Sequence, residues 1–238
     1  LSTVPMTQRS SANTEKEAAS ASASQSQRPS SAPTAAREVI AALAREVIDG
    51  TSGVSLEQYV AQLSDPHTID AVSQQAARVL EEVSATKPEL LAPHIEQLVS
   101  LLGSDRPCAV QAAAHCLPVL AKVTPAKVAK QLKTMQAALP KASGPAQDGL
   151  VRTFVALCVA SVTYQKRLID SFELALRTAD PKQLPGWVEH ILPALKGEPY
   201  AQARAVVENR AQDPALARPV AQRVAEILGI KLRPQAVK

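Results

Sequence analysis

The chain has 238 residues, of which 46% are hydrophobic and only 3% aromatic, and its formal net charge is +4. A core built mainly from alanine, leucine and valine, with so few aromatic residues, favours helices over strands. No apolar run reaches the ~18 residues that a membrane span needs, and the N-terminus lacks the apolar core of a signal peptide, so the sequence predicts a soluble, cytoplasmic protein.

The first 34 residues predict a disordered tail. Residues 1–33 contain nine serines and no aromatic side chain, so they bury too little apolar surface to offset the entropy lost on ordering the backbone. A Ser-rich, acid-poor stretch is also typical of organelle transit peptides, but Glu15 and Glu17 count against that alternative. Residues 231–238 form a second predicted tail, which is short and basic.

Between these tails, apolar residues recur at helical spacing. Ser55 and Gln58 suit a capping box, and three helix starts combine an N-cap residue with a following proline, at Thr124 and Pro125, at Asp180 and Pro181, and at Asp213 and Pro214. The pattern predicts helices over 35–48, 55–63, 67–84, 88–102, 106–122, 125–140, 146–162, 165–179, 182–195, 199–211 and 214–228.

A repeat of 37 residues organises these helices. Sliding the sequence by that offset superimposes similar residues, which are Leu80 and Leu117, Pro88 and Pro125, Leu91 and Val128, Leu98 and Met135, and Leu102 and Leu139. Two helices per ~37 residues is the period of a helical solenoid. Because one amphipathic pair cannot bury its own apolar face, neighbouring pairs must stack, and Leu98 and Leu117 are predicted core positions.

The helix predicted at 106–122 carries the residues of a known repeat type. An aspartate, a valine five residues later and a cluster of alanines and leucines are spaced as in the first helix of a HEAT repeat, at Asp105, Val110, Gln111, Ala113, Ala114, Leu117, Leu120 and Ala121. The chain therefore resembles the HEAT-repeat (armadillo-type) α-solenoid family over residues 66–180, although Gln111 stands where such repeats usually have arginine. The resemblance implies an all-α fold, an α-α superhelix of four to five helical pairs over residues 35–230.

Catalytic and metal-binding patterns are sparse. The histidines are His67, His94, His115 and His190; none has the spacing of a metal site, and no Cys-x-x-Cys pair occurs. Cys108 and His115 share a helix face, but no further ligand accompanies them. The three cysteines lie in apolar stretches and predict buried free thiols. The sequence also lacks a Gly-rich phosphate loop and a Gly-x-Ser-x-Gly elbow, so we predict no enzyme and no cofactor.

One enzymatic alternative concerns the single tryptophan. HEAT-like DNA glycosylases hold a damaged base against aromatic side chains with a carboxylate close by, which suits stacking on a π face. Trp187 has Glu189 two residues on and His190 three residues on. A glycosylase therefore stays an alternative, while the preferred interpretation is that Trp187 packs between two repeats.

Charge divides the chain into two parts. Residues 37–105 hold four basic and eleven acidic side chains, whereas residues 106–238 hold 19 basic and 9 acidic ones. The mild net charge therefore hides an acidic first half and a basic second half, and a basic half favours acidic partners.

A lysine row is the candidate binding site. Lys127, Lys130 and Lys133 lie opposite the apolar stripe of one predicted helix, and Lys141 follows it. In HEAT arrays the second helix of each pair generally lines the concave surface, so the resemblance places these lysines in the groove. There they would bind phosphates or an acidic peptide as point charges. The alternative is a solvated helix face that keeps the protein soluble.

These features together predict a non-enzymatic scaffold that binds a protein partner, with an acidic segment, on its concave surface. The second hypothesis is a nucleic-acid-binding solenoid that uses the basic half of the chain. The two differ in a measurable way, because the affinity of a nucleic-acid binder falls steeply with salt.

Overall fold

The computed structural model describes residues 32–232, with side chains from residue 36 onward. The predicted tail at 1–34 lies outside the described residues except for its last three, which belong to the first helix. The predicted tail at 231–238 lies outside them from residue 233.

The described chain is all-helical, and residues 32–232 contain no strand. Two segments are 3₁₀-helical, η1 (Pro88–His94) and η2 (Ala129–Gln131). The α-helices are α1 (Ala32–Asp49), α2 (Leu56–Ser64), α3 (Asp70–Thr86), α4 (Ile95–Leu101), α5 (Pro107–Val123), α6 (Pro125–Val128), α7 (Leu132–Ala138), α8 (Gly144–Ala160), α9 (Val162–Thr178), α10 (Leu184–Ala194), α11 (Gly197–Ala211) and α12 (Arg218–Leu228).

The 37-residue repeat is present in the helix positions. Helices α3, α5 and α8 begin at residues 70, 107 and 144, and the second helices of the same pairs begin at 88, 125 and 162. The first helices form one layer, in which α1, α3, α5, α8, α10 and α12 each pack on the next. Within residues 32–232 this gives five helical pairs followed by α12, which confirms the predicted all-α fold and number of pairs.

Helix starts agree with the sequence in two cases and differ in two. At α2, Gln58 N donates to Ser55 Oγ (3.3 Å) and Ser55 N donates to Gln58 Oε1 (2.8 Å), so the predicted capping box is present. Helix α6 begins at Pro125 after Thr124, as predicted, although the Thr124 hydroxyl donates to the Leu120 carbonyl (3.1 Å) and does not cap α6. The two Asp-Pro starts are wrong, because Asp180 and Asp213 accept from backbone N–H groups two residues on and form turns before α10 and α12 begin.

Two second helices that the sequence predicts as continuous are interrupted. The interruptions end at His94 and Gln131, which are 37 residues apart and have nearly the same backbone angles (φ −98° and ψ 9°; φ −91° and ψ 7°). Pro93 lacks an N–H group and accounts for the first 3₁₀ segment. Nothing in the sequence of Ala129–Gln131 explains the second, and the equivalent helix α9 is unbroken.

The core repeats with the same period as the helices. Residues at one position of the first helix are buried in five successive repeats, namely Leu80, Leu117, Phe154, Ile191 and Leu228. The predicted core positions Leu98 and Leu117 are both fully buried. Phe154 meets Phe172 edge to face, with ring centroids 6.3 Å apart and ring planes at 83°. The stacked pairs therefore share one continuous core.

Arg106 ties neighbouring repeats together at the start of α5. Its guanidinium donates to the carbonyls of Asp65 (2.8 Å) and Thr68 (2.6 Å) and to the carboxylate of Asp70 (3.1 Å). The arginine that links repeats therefore precedes the helix, while Gln111, at the position where HEAT repeats carry arginine, is exposed.

The cysteines are free thiols, as the sequence predicts. Cys116 and Cys158 are buried, whereas Cys108 is only half-buried, so the prediction of burial is wrong for Cys108. Burial raises the pKa of both Cys116 and Cys158 to about 12 from the ordinary value of 9.0. The folded protein therefore keeps these two thiols protonated at pH values where the unfolded chain loses the protons.

Stability is expected to fall between pH 9 and pH 12. The unfolded thiols ionise near pH 9 and the folded ones near 12, so the unfolded state binds fewer protons in this window and the free energy of unfolding decreases as pH rises. Urea unfolding at pH 8 and pH 10.5 measures the decrease. The double variant C116A/C158A, compared with itself at the two pH values, should lose less stability than the wild type; an equal loss would contradict the assignment to these thiols.

Candidate functional site

The lysine row lies on the second helix of the third pair. Lys127 is in α6, Lys130 in η2 and Lys133 in α7, and all three side chains are exposed. The apolar residues on the other side of the same segment are buried. None of the three forms an ion pair with any residue of the described chain.

The basic side chains continue from this row onto the next pair. Gln136 in α7 donates to the Arg167 carbonyl (2.9 Å) and to Ser171 Oγ (3.0 Å), which fixes α9 beside α7. Lys166 and Arg167 are exposed on α9, and Arg167 follows Lys130 by one repeat of 37 residues. We call the five side chains Lys127, Lys130, Lys133, Lys166 and Arg167 the basic surface. Its second part is not among the predicted site residues, although the repeat spacing points to Arg167.

The basic surface has clear limits. One repeat further, Arg204 donates to Glu208 (2.7 Å) and to the Leu228 carbonyl (3.1 Å), so its guanidinium is occupied. Asp170 stands one repeat after Lys133 and is exposed. Lys141 is also exposed and lies in the loop after α7, where its backbone N–H donates to the Ala138 carbonyl (3.0 Å). Its place in the binding site stays a prediction.

Trp187 is buried between repeats and offers no exposed ring face. Its side chain is 2% exposed, and its indole N–H donates to Asp148 Oδ1 (2.9 Å). The other carboxylate oxygen of Asp148 pairs with Arg152 (2.8 Å). Glu189, the carboxylate expected near a bound base, pairs instead with Arg223 (2.7 Å). This geometry agrees with a packing role for the tryptophan.

The candidate metal ligands do not come together. Within residues 32–232, no three His, Cys, Asp or Glu side chains are placed to hold one metal ion. Cys108 is half-buried and His115 exposed on α5, and His94 Nδ1 lies 2.9 Å from Gln97 Oε1. Cys108 and His115 therefore gain no third ligand in this part of the chain.

A groove of about 540 Å³ crosses the first-helix layer, where the sequence predicts no site. We call it the valine groove. It runs between α5 and α8 and is closed by one residue of α10; its lining is Gln111, Ala114, His115, Pro118, Val119, Lys122, Pro145, Asp148, Arg152, Val155, Ala156, Val159 and His190. The periodicity of apolar residues in the sequence cannot predict this groove, because a helix that is apolar on two sides has the same sequence pattern as a fully buried helix.

Comparison with known proteins yields a fold and no function. The sequence matches no protein-family model and no curated protein. The structure is similar to the crystal structure of an engineered protein from the Northeast Structural Genomics Consortium, with a TM-score of 0.55 and 18% sequence identity over 88% of this chain and 96% of that one. At this identity the likeness concerns the fold alone. None of the helices in the described chain has the length and apolarity to cross a membrane.

Proposed function

We propose that this protein is a non-enzymatic, HEAT-like interaction scaffold whose second-helix layer binds an acidic segment of a partner protein. One observation carries the proposal: the basic surface presents five exposed cations on the second helices of two adjacent pairs, and the lysine row forms no ion pair within the described chain. The resemblance to HEAT repeats would place this layer on the concave side. Lys141, in the loop after α7, belongs to the proposed site as a further lysine.

We prefer an acidic protein segment to nucleic acid because of the type of the cations and the burial of the aromatic side chains near them. Three of the five are lysines in one row, which act as point charges and tolerate varied partners. Nucleic-acid surfaces that hold single strands add aromatic side chains for base stacking, and the nearest aromatic residues on α9 are Tyr164, which is half-buried, and Phe172, which is fully buried. A duplex held through phosphates alone stays the alternative.

Reversing the charges of the lysine row is expected to weaken binding strongly without unfolding the protein. Exposed charges contribute about 0–1 kcal/mol each to stability, so K127E/K130E/K133E should keep its thermal unfolding temperature within a few degrees. Its affinity for fluorescent poly-L-glutamate should fall by about tenfold or more, because attraction becomes repulsion, and the wild-type affinity should fall as salt rises. Fluorescence anisotropy at 50 and 200 mM salt measures both effects.

The matched control carries the same charge change at dispersed sites. Lys87, Lys182 and Lys231 are exposed and lie far apart along the chain, so K87E/K182E/K231E should bind poly-L-glutamate within about threefold of wild type, as expected for screened long-range charges. Equal losses of affinity in the two triple variants would mean that the lysine row is a solvated helix face and not a binding site. Tighter binding of a 20-bp duplex than of poly-L-glutamate would favour the nucleic-acid alternative.

A further inference from the structure

Helices α5 and α8 carry too few charges for helices with a solvent-facing side. Of their 17 residues each, α5 holds one lysine and one histidine, and α8 holds one aspartate and one arginine that pair with each other. A helix that is apolar on all sides is normally covered on all sides. Here the outer side is open: Val159 is 72% exposed, Val123 is 41% exposed, and Val119 and Val155 are half-buried.

Helix α3, in the preceding repeat, has charged residues on the side that is apolar in α5 and α8. On α3, Glu81 and Glu82 occupy the positions that Pro118 and Val119 occupy on α5, one repeat later. The next repeat places Val155 and Ala156 at the same positions on α8. One repeat further, on α10, the same positions hold Leu192, which is buried, and Pro193. The acidic pair of α3 is thus replaced by apolar residues from α5 onward, and the valine groove lies at the start of this apolar part of the layer.

The dimensions of the groove suit a helix. Gly149 lets α8 approach α5 so closely that an added Cβ would lie 2.5 Å from the Ala114 Cα, which leaves a floor of small residues between the two helices. From Pro145 to Val159 the groove extends about 21 Å at 1.5 Å per residue. That length accommodates about four turns of a helix whose side chains fit between the valines.

The polar rim selects the partner. Two cationic side chains, Lys122 and Arg152, stand at the rim with two histidines, His115 and His190, and a single carboxylate, Asp148. Both oxygens of that carboxylate are engaged, one by the Trp187 indole and the other by the Arg152 guanidinium. A second copy of this face would bring like charges together, which opposes a symmetric dimer through the groove.

We infer that the valine groove is a docking site for an amphipathic helix of a partner protein, with an aliphatic stripe facing the valines and Asp or Glu residues along its flanks. Apolar anchors in the groove supply affinity, and acidic flanks facing the basic rim supply orientation. The site lies on the first-helix layer, so it is separate from the basic surface and does not depend on the function proposed above.

The experiment first selects helices that bind the protein and then uses variants to determine whether they bind at the valine groove. A displayed library of 18-residue helices, with a fixed leucine stripe and randomised polar positions, is selected on the wild-type chain. Enriched helices should carry more Asp and Glu than the starting library. They should bind V159D/K122E more than about tenfold more weakly than wild type, because the change places a charge on the apolar wall and reverses the rim.

The control variant makes the same two changes elsewhere. V39D/K87E alters an exposed valine of α1 (56% exposed) and an exposed lysine outside the groove, so it should bind the selected helices like wild type, as should K127E/K130E/K133E. The inference is overturned by failure to enrich any helix, by enrichment of basic helices, or by equal binding to V159D/K122E and wild type. A wild-type dimer in sedimentation that V159D/K122E converts to monomer would also overturn it, since a second copy would then cover the groove.

Discussion

Replacing Gly149 with alanine is expected to lower the free energy of unfolding by about 1–3 kcal/mol, the usual cost of forcing a methyl group into a packed core. A Cβ at this position would lie 2.5 Å from the Cα, 2.6 Å from the Cβ and 2.9 Å from the carbonyl oxygen of Ala114. Two of these three atoms belong to the backbone of α5, so no side-chain rotation relieves the overlap. Helices α5 and α8 must therefore move apart.

The direction of this effect is opposite to that of an ordinary helical glycine. Alanine normally stabilises a helix interior by about 0.5–1 kcal/mol over glycine. Gly186 in α10 provides the control, since an added Cβ there meets no atom within 4 Å. Urea titrations should show G149A less stable and G186A equal to or more stable than wild type. Equal stabilisation by the two substitutions would mean that α5 and α8 are not in close contact.

The repeat register is the part of the fold that sequence reasoning recovers best. An offset of 37 residues aligns Leu80 with Leu117 and Leu98 with Met135, and all four side chains are fully buried. The reason is physical: a stack buries equivalent positions in every repeat, so the apolar pattern repeats along with the helices. The aligned pairs therefore predict which side of these helices faces the core.

Local details of the backbone are recovered less well. Both Asp-Pro motifs predict helix starts, yet Asp180 and Asp213 form turns and α10 and α12 begin several residues later. The same side chain is suited to an N-cap and to a turn, and the choice depends on where neighbouring helices allow the first turn to pack. The 3₁₀ segment at 129–131 has no proline or glycine to indicate it.

The two candidate surfaces differ in how far the sequence predicts them. Lysines at a spacing of three, opposite an apolar stripe, predict exposure, and Lys127, Lys130 and Lys133 are exposed. The valine groove cannot be predicted in this way, because Val159 in an apolar helix looks like a core residue. Gly149 packs against Ala114 of α5, which is a contact between residues far apart in the sequence. This contact shows which side of α8 is covered by α5 and which side is exposed.

Truncating Phe154 to alanine is expected to have the largest effect of any single substitution considered, a loss of about 3–5 kcal/mol in the free energy of unfolding. The ring is fully buried and meets the edge of Phe172 at a centroid distance of 6.3 Å, a contact worth about 0.5–1.5 kcal/mol beyond the area buried. Its equivalent one repeat earlier, Leu117, is also fully buried, and L117A should cost about 2–5 kcal/mol.

The substitution F154L separates the volume of the ring from its aromatic contact. Leucine is the residue that the repeat itself places at this position in α3 and α5, as Leu80 and Leu117, so its shape suits a helix of this layer. F154L should therefore lose much less stability than F154A, while both lose the contact with Phe172. Chemical denaturation of the three variants gives the comparison. A loss below about 0.5 kcal/mol in either alanine variant is what a surface position would give, and it would place the column of Leu80, Leu117 and Phe154 outside the core.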